Sequence, residues 1–109
     1  MEKRILVVDD ERLAPAATIA RTSSEGLGLL ANGAWDELWL DHDLGGADTS
    51  WPIIRELERR HAAGANVGVT SVIVHTANPV ESIRMIVALH KLPVQLRRTT
   101  ALQMAQELG

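Results

Sequence analysis

The chain has 109 residues, 46% of them hydrophobic and 23% charged, with a formal net charge of −3. We expect residues 1–109 to form a single globular domain, since nothing in this composition indicates disorder. The negative charge excludes a general basic surface, so an RNA or DNA partner would have to be bound locally, as an end or a small fragment. The absence of cysteine excludes disulfides and thiolate metal sites, and it fits a reducing cytoplasm.

No apolar run approaches the ~18 residues that cross a bilayer, and the first apolar run is too short for a signal peptide. We therefore expect a cytoplasmic protein without a membrane partner. A homodimer or a partner protein is compatible with the sequence. Trp35, Trp39 and Trp51 hold all the aromatic area, and although an exposed one would mark an interface, we favour core packing.

Three short apolar runs, at residues 4–8, 37–40 and 70–74, each end in polar residues. This pattern is typical of strands buried on both faces of a parallel sheet. Residues 94–97 predict a last strand.

Helices are predicted between the strands from their start and stop signals. Thr22 and Glu25 have the spacing of a capping box, and Asn78 followed by Pro79 and Glu81 is the strongest helix start. The predicted helices cover residues 22–33, 50–64, 78–90 and 100–108. In the third of these, four residues fall on one side of the helix: Ile83, Ile86, Val87 and His90.

Strands that alternate with helices predict an α/β sheet with helices on both faces. One connection is too short for this scheme, because only residues 9–15 separate the first strand from the segment 16–21. A parallel crossover usually needs about a dozen residues. Either residues 12–21 form a poor helix, or the first helix is missing and 16–21 contains a strand. We favour the missing helix.

Unusual polar residues follow three of the predicted strands: Asp9-Asp10-Glu11-Arg12, Asp41-His42-Asp43 and His75-Thr76-Ala77-Asn78. Ligands of open α/β sheets bind at the carboxyl ends of the strands, so we expect these clusters to form one site. Crowded carboxylates need a cation, and oxygen ligands suit Mg²⁺, Mn²⁺ or Ca²⁺. A histidine ligand would extend the choice to Fe²⁺ or Zn²⁺. The helix start after Asn78 is a ready phosphate site, so a divalent cation plus a phosphate is the ligand that the pattern favours.

The same motifs resemble those of receiver domains, the phosphoacceptor modules of two-component signalling. The resemblance lies in residues 7–11, in Leu40-Asp41 with Gly45-Gly46, and in residues 74–77. It implies a CheY-like, flavodoxin-like three-layer sandwich with a mostly parallel sheet of order 2-1-3-4-5, here with the first helix missing. It also implies a metal at the acids and Asp41 at the phosphoacceptor position.

Three departures from the receiver pattern point to a narrower family. Only 31 positions separate Asp10 from Asp41, which is shorter than in receivers by about the length of the missing helix. The receiver lysine at the end of the fifth strand has only a loose counterpart in Lys91-Leu-Pro93, for which Arg97 or Arg98 would substitute. The Asp-His-Asp run and the histidine before Thr76 are foreign to ordinary receivers.

These departures resemble the cyclic-phosphate processing receiver family, through residues 8–12, 40–45 and 74–79, with Met85 two turns further on. The resemblance implies the processing or recognition of cyclic phosphate ends of RNA or nucleotides. The leading hypothesis is a metal-dependent phosphoesterase, with an RNA end or a phosphate-containing small molecule as partner and Mg²⁺ or Mn²⁺ as the favoured metal. The roles are as follows: metal ligands Asp9, Asp10, Asp41 and Asp43; general acid or base His75, with His42 as the alternate; phosphate contacts Thr76, Asn78 and Arg12.

Two other hypotheses stay open at the level of sequence. Asp41 would be phosphorylated if the chain is a conventional phosphoacceptor receiver, although the missing lysine argues against this. A sensor or adaptor would bind a nucleotide or partner without turning it over.

Overall fold

The computed structural model describes residues 2–109, which form five strands and four helices. The strands are β1 (Ile5–Val8), β2 (Thr18–Ala20), β3 (Trp35–Leu40), β4 (Val69–Val74) and β5 (Gln95–Arg98). The helices are α1 (Ser23–Ala31), α2 (Trp51–Ala62), α3 (Pro79–Leu89) and α4 (Ala101–Leu108). The sheet has the order β2-β1-β3-β4-β5 and every neighbouring pair is parallel. The predicted flavodoxin-like fold is therefore confirmed.

The predicted loss of the first helix is also confirmed. Residues 9–17 connect β1 to β2 without a helix, and β2 pairs with β1 in parallel, with Val7 opposite Ile19. The Arg21 guanidinium fixes this loop by donating hydrogen bonds to the carbonyls of Asp9 (3.2 Å) and Arg12 (2.8 Å). A tight, pinned loop thus replaces the helical crossover.

The two faces of the sheet are covered unequally. Helices α1, α2 and α3 pack on one face, where the core residues include Leu6, Leu38, Ile54 and Met85. The other face carries α4 and the loop 9–17, and its smaller core contains Val7, Ala14, Trp39, Ile73, Met104 and Leu108. The molecule therefore has three layers, one of them thin.

Helix α3 begins as predicted, and the side on which Ile83, Val87 and His90 lie is not its buried side. Ser82, Met85 and Leu89 are the buried residues of this helix. Ile83 and Val87 point outward and are 55% and 67% exposed. The helix has two apolar stripes, and its packing against the sheet decides which of the two is buried.

The tryptophans divide between core and surface. Trp35 and Trp39 are buried, as favoured, whereas Trp51 is half-buried at the start of α2. Within residues 2–109, no helix has both the length and the apolar character needed to cross a membrane.

Candidate metal and phosphate site

The polar clusters that follow the strands meet at the carboxyl edge of the sheet. Strands β1, β3 and β4 end in register, with Val8 opposite Leu40 and the same register continued in β4. The first residue after each strand is Asp9, Asp41 or His75, and backbone hydrogen bonds from the N–H of Asp41 to Val8 and of His75 to Leu40 (both 3.0 Å) extend the ladder. The three side chains therefore converge, and ligand atoms of all three lie within 4.8 Å of one another.

Asp9 is a buried carboxylate with several hydrogen-bond donors. Its side chain is 1% exposed, and Oδ1 accepts the backbone N–H groups of Glu11 (2.9 Å) and Arg12 (3.0 Å). Burial acts to raise the pKa of Asp9, but the hydrogen bond from His75 and the two N–H donors outweigh it and lower the pKa to about 2. Asp9 is consequently ionised at neutral pH.

His75 is fully buried against Asp9. Its Nε2 lies 3.0 Å from Asp9 Oδ2, and because the ionised carboxylate can only accept, Nε2 carries the hydrogen. Within residues 2–109 the other ring nitrogen, Nδ1, is buried without a hydrogen-bond partner. The Trp39 ring packs beneath the imidazole, with 6.2 Å between ring centres. His75 thus forms the floor of the site, buried between Asp9 and Trp39.

Asp41 is half-buried and belongs to the row of side chains that it forms with Asp9 and His75. Burial raises its pKa, and the negative charge of Asp9 raises it further, against the opposing effects of His75, the His42 N–H and Thr76. Its carboxylate accepts the N–H of His42 at 2.8 Å. Two carboxylates in this setting repel each other, and a cation between them would relieve the repulsion.

The donor set fits a divalent ion. Two carboxylates and one imidazole nitrogen are close enough to share an ion. His75 would coordinate it through a nitrogen that carries no hydrogen, and Nδ1 is the nitrogen without a hydrogen-bond partner among the described residues. Oxygen ligands suit Mg²⁺ and Mn²⁺, and the imidazole suits Mn²⁺, Fe²⁺ or Zn²⁺. Of the predicted ligands, Asp9 and Asp41 belong to this cluster, and His75 joins it in place of Asp10 and Asp43.

Asp10 and Asp43 line the cleft of about 390 Å³ that opens over the row, together with Glu11, Asn78 and others. The Asp43 carboxylate accepts the Gly45 N–H at 3.1 Å. Gly45 has a φ of +91°, and a Cβ there would lie 3.4 Å from Asp10 Oδ2. The glycine therefore permits a close approach of the β3–α2 loop to Asp10, with a backbone conformation that other residues rarely adopt.

The three predicted phosphate contacts surround the same cleft. The Thr76 hydroxyl accepts the Asn78 N–H at 3.2 Å, and the Asn78 side chain caps α3 by accepting the Glu81 N–H at 3.1 Å. Since Pro79 has no N–H, the helix offers a phosphate its dipole rather than a set of free amides. The Arg12 Nε lies 3.6 Å from Asp9 Oδ2, and the side chain remains 44% exposed.

His42 lies on the outer wall of the cleft. Its Nε2 is 3.2 Å from Glu81 Oε2, and the side chain is 18% exposed. The same Glu81 oxygen accepts the Trp51 Nε1–H at 3.1 Å. Burial acts to raise the pKa of Glu81, but the donor from Trp51 and the charges of Arg84 and His42 lower it. Glu81 therefore stays ionised and orients the imidazole of His42.

For several residues of the site the sequence predicted no such role. Glu81 was recognised only as a first-turn acid of α3, and Arg21 had no role. Ser50, which is fully buried, donates its hydroxyl to the Asp41 carbonyl and its N–H to the His42 carbonyl (3.0 Å). The polar position of Ser50 before a helix was the one available signal, and it indicated a cap; in the structure its hydroxyl instead fixes the loop that carries Asp41.

The basic residues considered as substitutes for a receiver lysine lie in different places. Lys91 forms an ion pair with Glu58 at 2.8 Å. Arg97 binds the Glu107 carboxylate, with Nη2 2.6 Å from Oε1. Arg98 lines a neighbouring cleft that also contains Thr76. Only Arg98 is thus close to the site.

The fold places the chain in the class of receiver-like domains. The structure resembles a signal receiver domain of an HD domain-containing protein from Pseudomonas fluorescens Pf-5, with a TM-score of 0.62 and 17% identity over 99% of this chain and 94% of the other. It also resembles the receiver domain of a Francisella response regulator (TM-score 0.61, 16% identity, 97% and 90% covered). A third similar structure is the N-terminal domain of an uncharacterized protein from Wolinella succinogenes (0.60, 21%, 98% and 92%). At these identities the likeness shows the fold.

The family follows from the sequence match. Residues 4–91 match the cyclic-phosphate processing receiver domain, which is most of the chain, and the protein belongs to that family. The resemblance inferred from the three motifs is therefore confirmed. Met85, part of that resemblance, lies in the core with no exposed surface. Among curated proteins, none matches the chain well enough to indicate a relative.

Proposed function

We propose that this domain is a metal-dependent phosphoesterase that opens a cyclic phosphate, such as the 2′,3′-cyclic end of an RNA. The observation that carries the proposal is the row of Asp9, Asp41 and His75, whose ligand atoms lie within 4.8 Å of one another. Burial, together with the neighbouring charge of Asp9, raises the pKa of Asp41, and a bound cation would favour its ionised form. The row opens into a cleft that also contains the predicted phosphate contacts. A cation site beside a phosphate site is the combination that phosphoryl chemistry requires.

In this proposal Asp9 and Asp41 hold the ion, with a nitrogen of His75 as a further ligand and Asp10 and Asp43 close enough to take part. A bound divalent ion would supply positive charge at a phosphoryl oxygen and lower the pKa of a bound water. Besides this role as a ligand, His75 holds the Asp9 carboxylate in place through its hydrogen bond to Oδ2.

Proton transfer is assigned to His42, which faces the cleft and is oriented by Glu81 at 3.2 Å. In hydrolysis a water oxygen bonds to phosphorus, the bond to one ribose oxygen breaks, and that oxygen receives a proton. His42 is placed to take the proton of the water or to return it to the ribose oxygen. Thr76 and the N-terminal end of α3 seat the phosphate, and Arg12 offsets its charge.

The test is to incubate the protein with a 2′,3′-cyclic mononucleotide and Mg²⁺ or Mn²⁺, following binding by calorimetry and product by chromatography. Asp41→Asn should lower metal affinity by at least about tenfold, as expected for loss of a charged ligand, and should abolish product. Asp36→Asn, on the exposed opposite end of β3, removes the same charge and should change neither. Metal-independent product would contradict the proposal, and binding without product would favour a recognition domain instead.

The phosphoacceptor alternative rests on one observation, the position of Asp41 at the end of β3 beside Thr76. A small phosphodonor with Mg²⁺ would then give a labile adduct on Asp41, detected as a mass increase that Asp41→Asn removes. We favour the phosphoesterase because Lys91 is engaged with Glu58 and the site contains the additional histidines.

A further inference from the structure

A second cleft adjoins the site and shares His42 with it. This cleft has a volume of about 300 Å³ and is lined by His42, Trp51, Arg55, Glu81 and Arg84. Apart from His42, its residues come from the start of α2 and the first half of α3, on the outer side of the histidine. A ligand that fills the main cleft could therefore extend past His42 into this one.

Trp51 is the fixed part of the second cleft. Its Nε1–H is held by Glu81, and the guanidinium groups of Arg84 and Arg55 lie 5.5 and 6.0 Å from the centre of its ring. An indole fixed in place beside two guanidinium groups presents flat surfaces to a solute. Nucleobases stack on aromatic rings and on arginine planes.

The charge of the second cleft is opposite to that of the chain as a whole. Arg84 pairs with Glu81 at 2.7 Å but keeps 63% of its side chain exposed. The ion pairs within residues 2–109 do not include Arg55. The two arginines outweigh Glu81 and give a local positive charge on a protein with a net charge of −3, which favours a phosphodiester at this place.

Accepting the phosphoesterase proposal above, we propose that this second cleft binds the penultimate nucleotide of an RNA chain whose last nucleotide carries the cyclic phosphate. Arg55 and Arg84 contact the connecting phosphodiester, and Trp51 with its neighbouring guanidinium groups supports the base. The terminal cyclic phosphate occupies the main cleft at the same time. The preferred ligand is accordingly an RNA end of two or more nucleotides rather than a cyclic mononucleotide.

The experiment compares uridine 2′,3′-cyclic phosphate with the corresponding diuridine that ends in a 2′,3′-cyclic phosphate, by calorimetry with Mn²⁺ present. We expect the dinucleotide to bind about 10-fold or more tightly, because it adds a base that stacks and a phosphodiester that the arginines contact. The gain should shrink as salt rises, since it includes a phosphate contact. In Arg55→Ala and Trp51→Leu the gain should be reduced or lost.

Arg59→Ala is the matched control, because Arg59 lies one turn further along α2 and pairs with Glu56 outside the cleft. It should keep the full gain, and thermal melting should show each variant folded. Equal affinity for the two probes would contradict the role of the second cleft as a nucleotide site, and so would a gain in affinity that survives in both Arg55→Ala and Trp51→Leu. Either result would leave the proposed function intact. Failure of both probes to bind would instead reject the proposed function.

Discussion

The two histidine–carboxylate pairs at the carboxyl edge of the sheet lie in opposite surroundings. In the inner pair, His75 and Asp9 are 0% and 1% exposed. In the outer pair, His42 and Glu81 are 18% and 15% exposed, and Glu81 also binds Trp51 and Arg84. The same two kinds of side chain thus form a buried floor in one place and an accessible wall in the other.

The two pairs differ in how far the carboxylate depends on its partner for stability. A buried carboxylate depends on its partner, because removal of the partner leaves a charge that neither water nor protein solvates. An accessible pair is screened by water and contributes little to stability. We therefore expect loss of the histidine to affect stability much more in the inner pair than in the outer pair, and four experiments test this difference.

The largest effect is expected for His75→Ala. The change leaves the Asp9 carboxylate buried without its main side-chain partner, and we expect a loss of roughly 3–5 kcal/mol in the free energy of unfolding. Urea denaturation monitored by circular dichroism measures this loss. A variant as stable as the unmodified protein would show that Arg12 and the backbone N–H groups suffice for Asp9, and the contrast between the pairs would disappear.

The decrease in the free energy of unfolding at acidic pH should depend on Asp9. Its pKa falls from 3.8 to about 2 on folding, so the native state binds the proton less readily than the unfolded chain. The resulting stabilisation, about 2 kcal/mol from about 1.4 kcal/mol per pKa unit, is complete above pH ~4 and is lost as the pH falls towards 2. Unfolding free energies between pH 5 and 2 should show this slope. The slope should be smaller in Asp9→Asn and retained in Asp36→Asn.

Asp41→Asn should stabilise the metal-free protein. Because burial and the charge of Asp9 raise the pKa of Asp41 on folding, its ionised form is disfavoured in the native state, and this cost is present at pH values above that raised pKa. The amide keeps an acceptor for the His42 N–H without the charge. We expect a gain of roughly 0.5–2 kcal/mol, seen as a higher Tm at pH 7. A lower Tm would show that the two carboxylates do not repel each other in the absence of metal.

The smallest effect on stability is expected for His42→Ala. Loss of a partly exposed pair should cost about 1 kcal/mol or less. If the proposed function holds, turnover of a cyclic phosphate should fall by about 10²-fold or more, with metal affinity unchanged. Parallel measurement of urea denaturation and turnover separates the two readouts. Full turnover in this variant would remove His42 from proton transfer.

The sequence allowed much of the fold to be predicted because the signals were local. The apolar runs that became β1, β3 and β4 and the cap at Asn78 are patterns of a few residues. The missing helix followed from chain length, since too few residues were available for a crossover. The inward side of α3 could not be read from the sequence, because Ile83 and Met85 both lie on apolar stripes and local pattern cannot say which stripe meets the sheet.

The convergence of Asp9, Asp41 and His75 was likewise determined by the sequence, because each follows a strand and parallel strands end at one edge. The individual roles were decided only by tertiary structure. His75 and Asp9 are 66 positions apart, and Trp51 and Glu81 are 30 apart. Which histidine is buried, and which faces the cleft beside a tryptophan and two arginines, depends on how α2 and α3 pack beside the sheet. Local residue patterns fix the elements and their order, whereas burial and long-range contacts fix the charge and accessibility of each side chain.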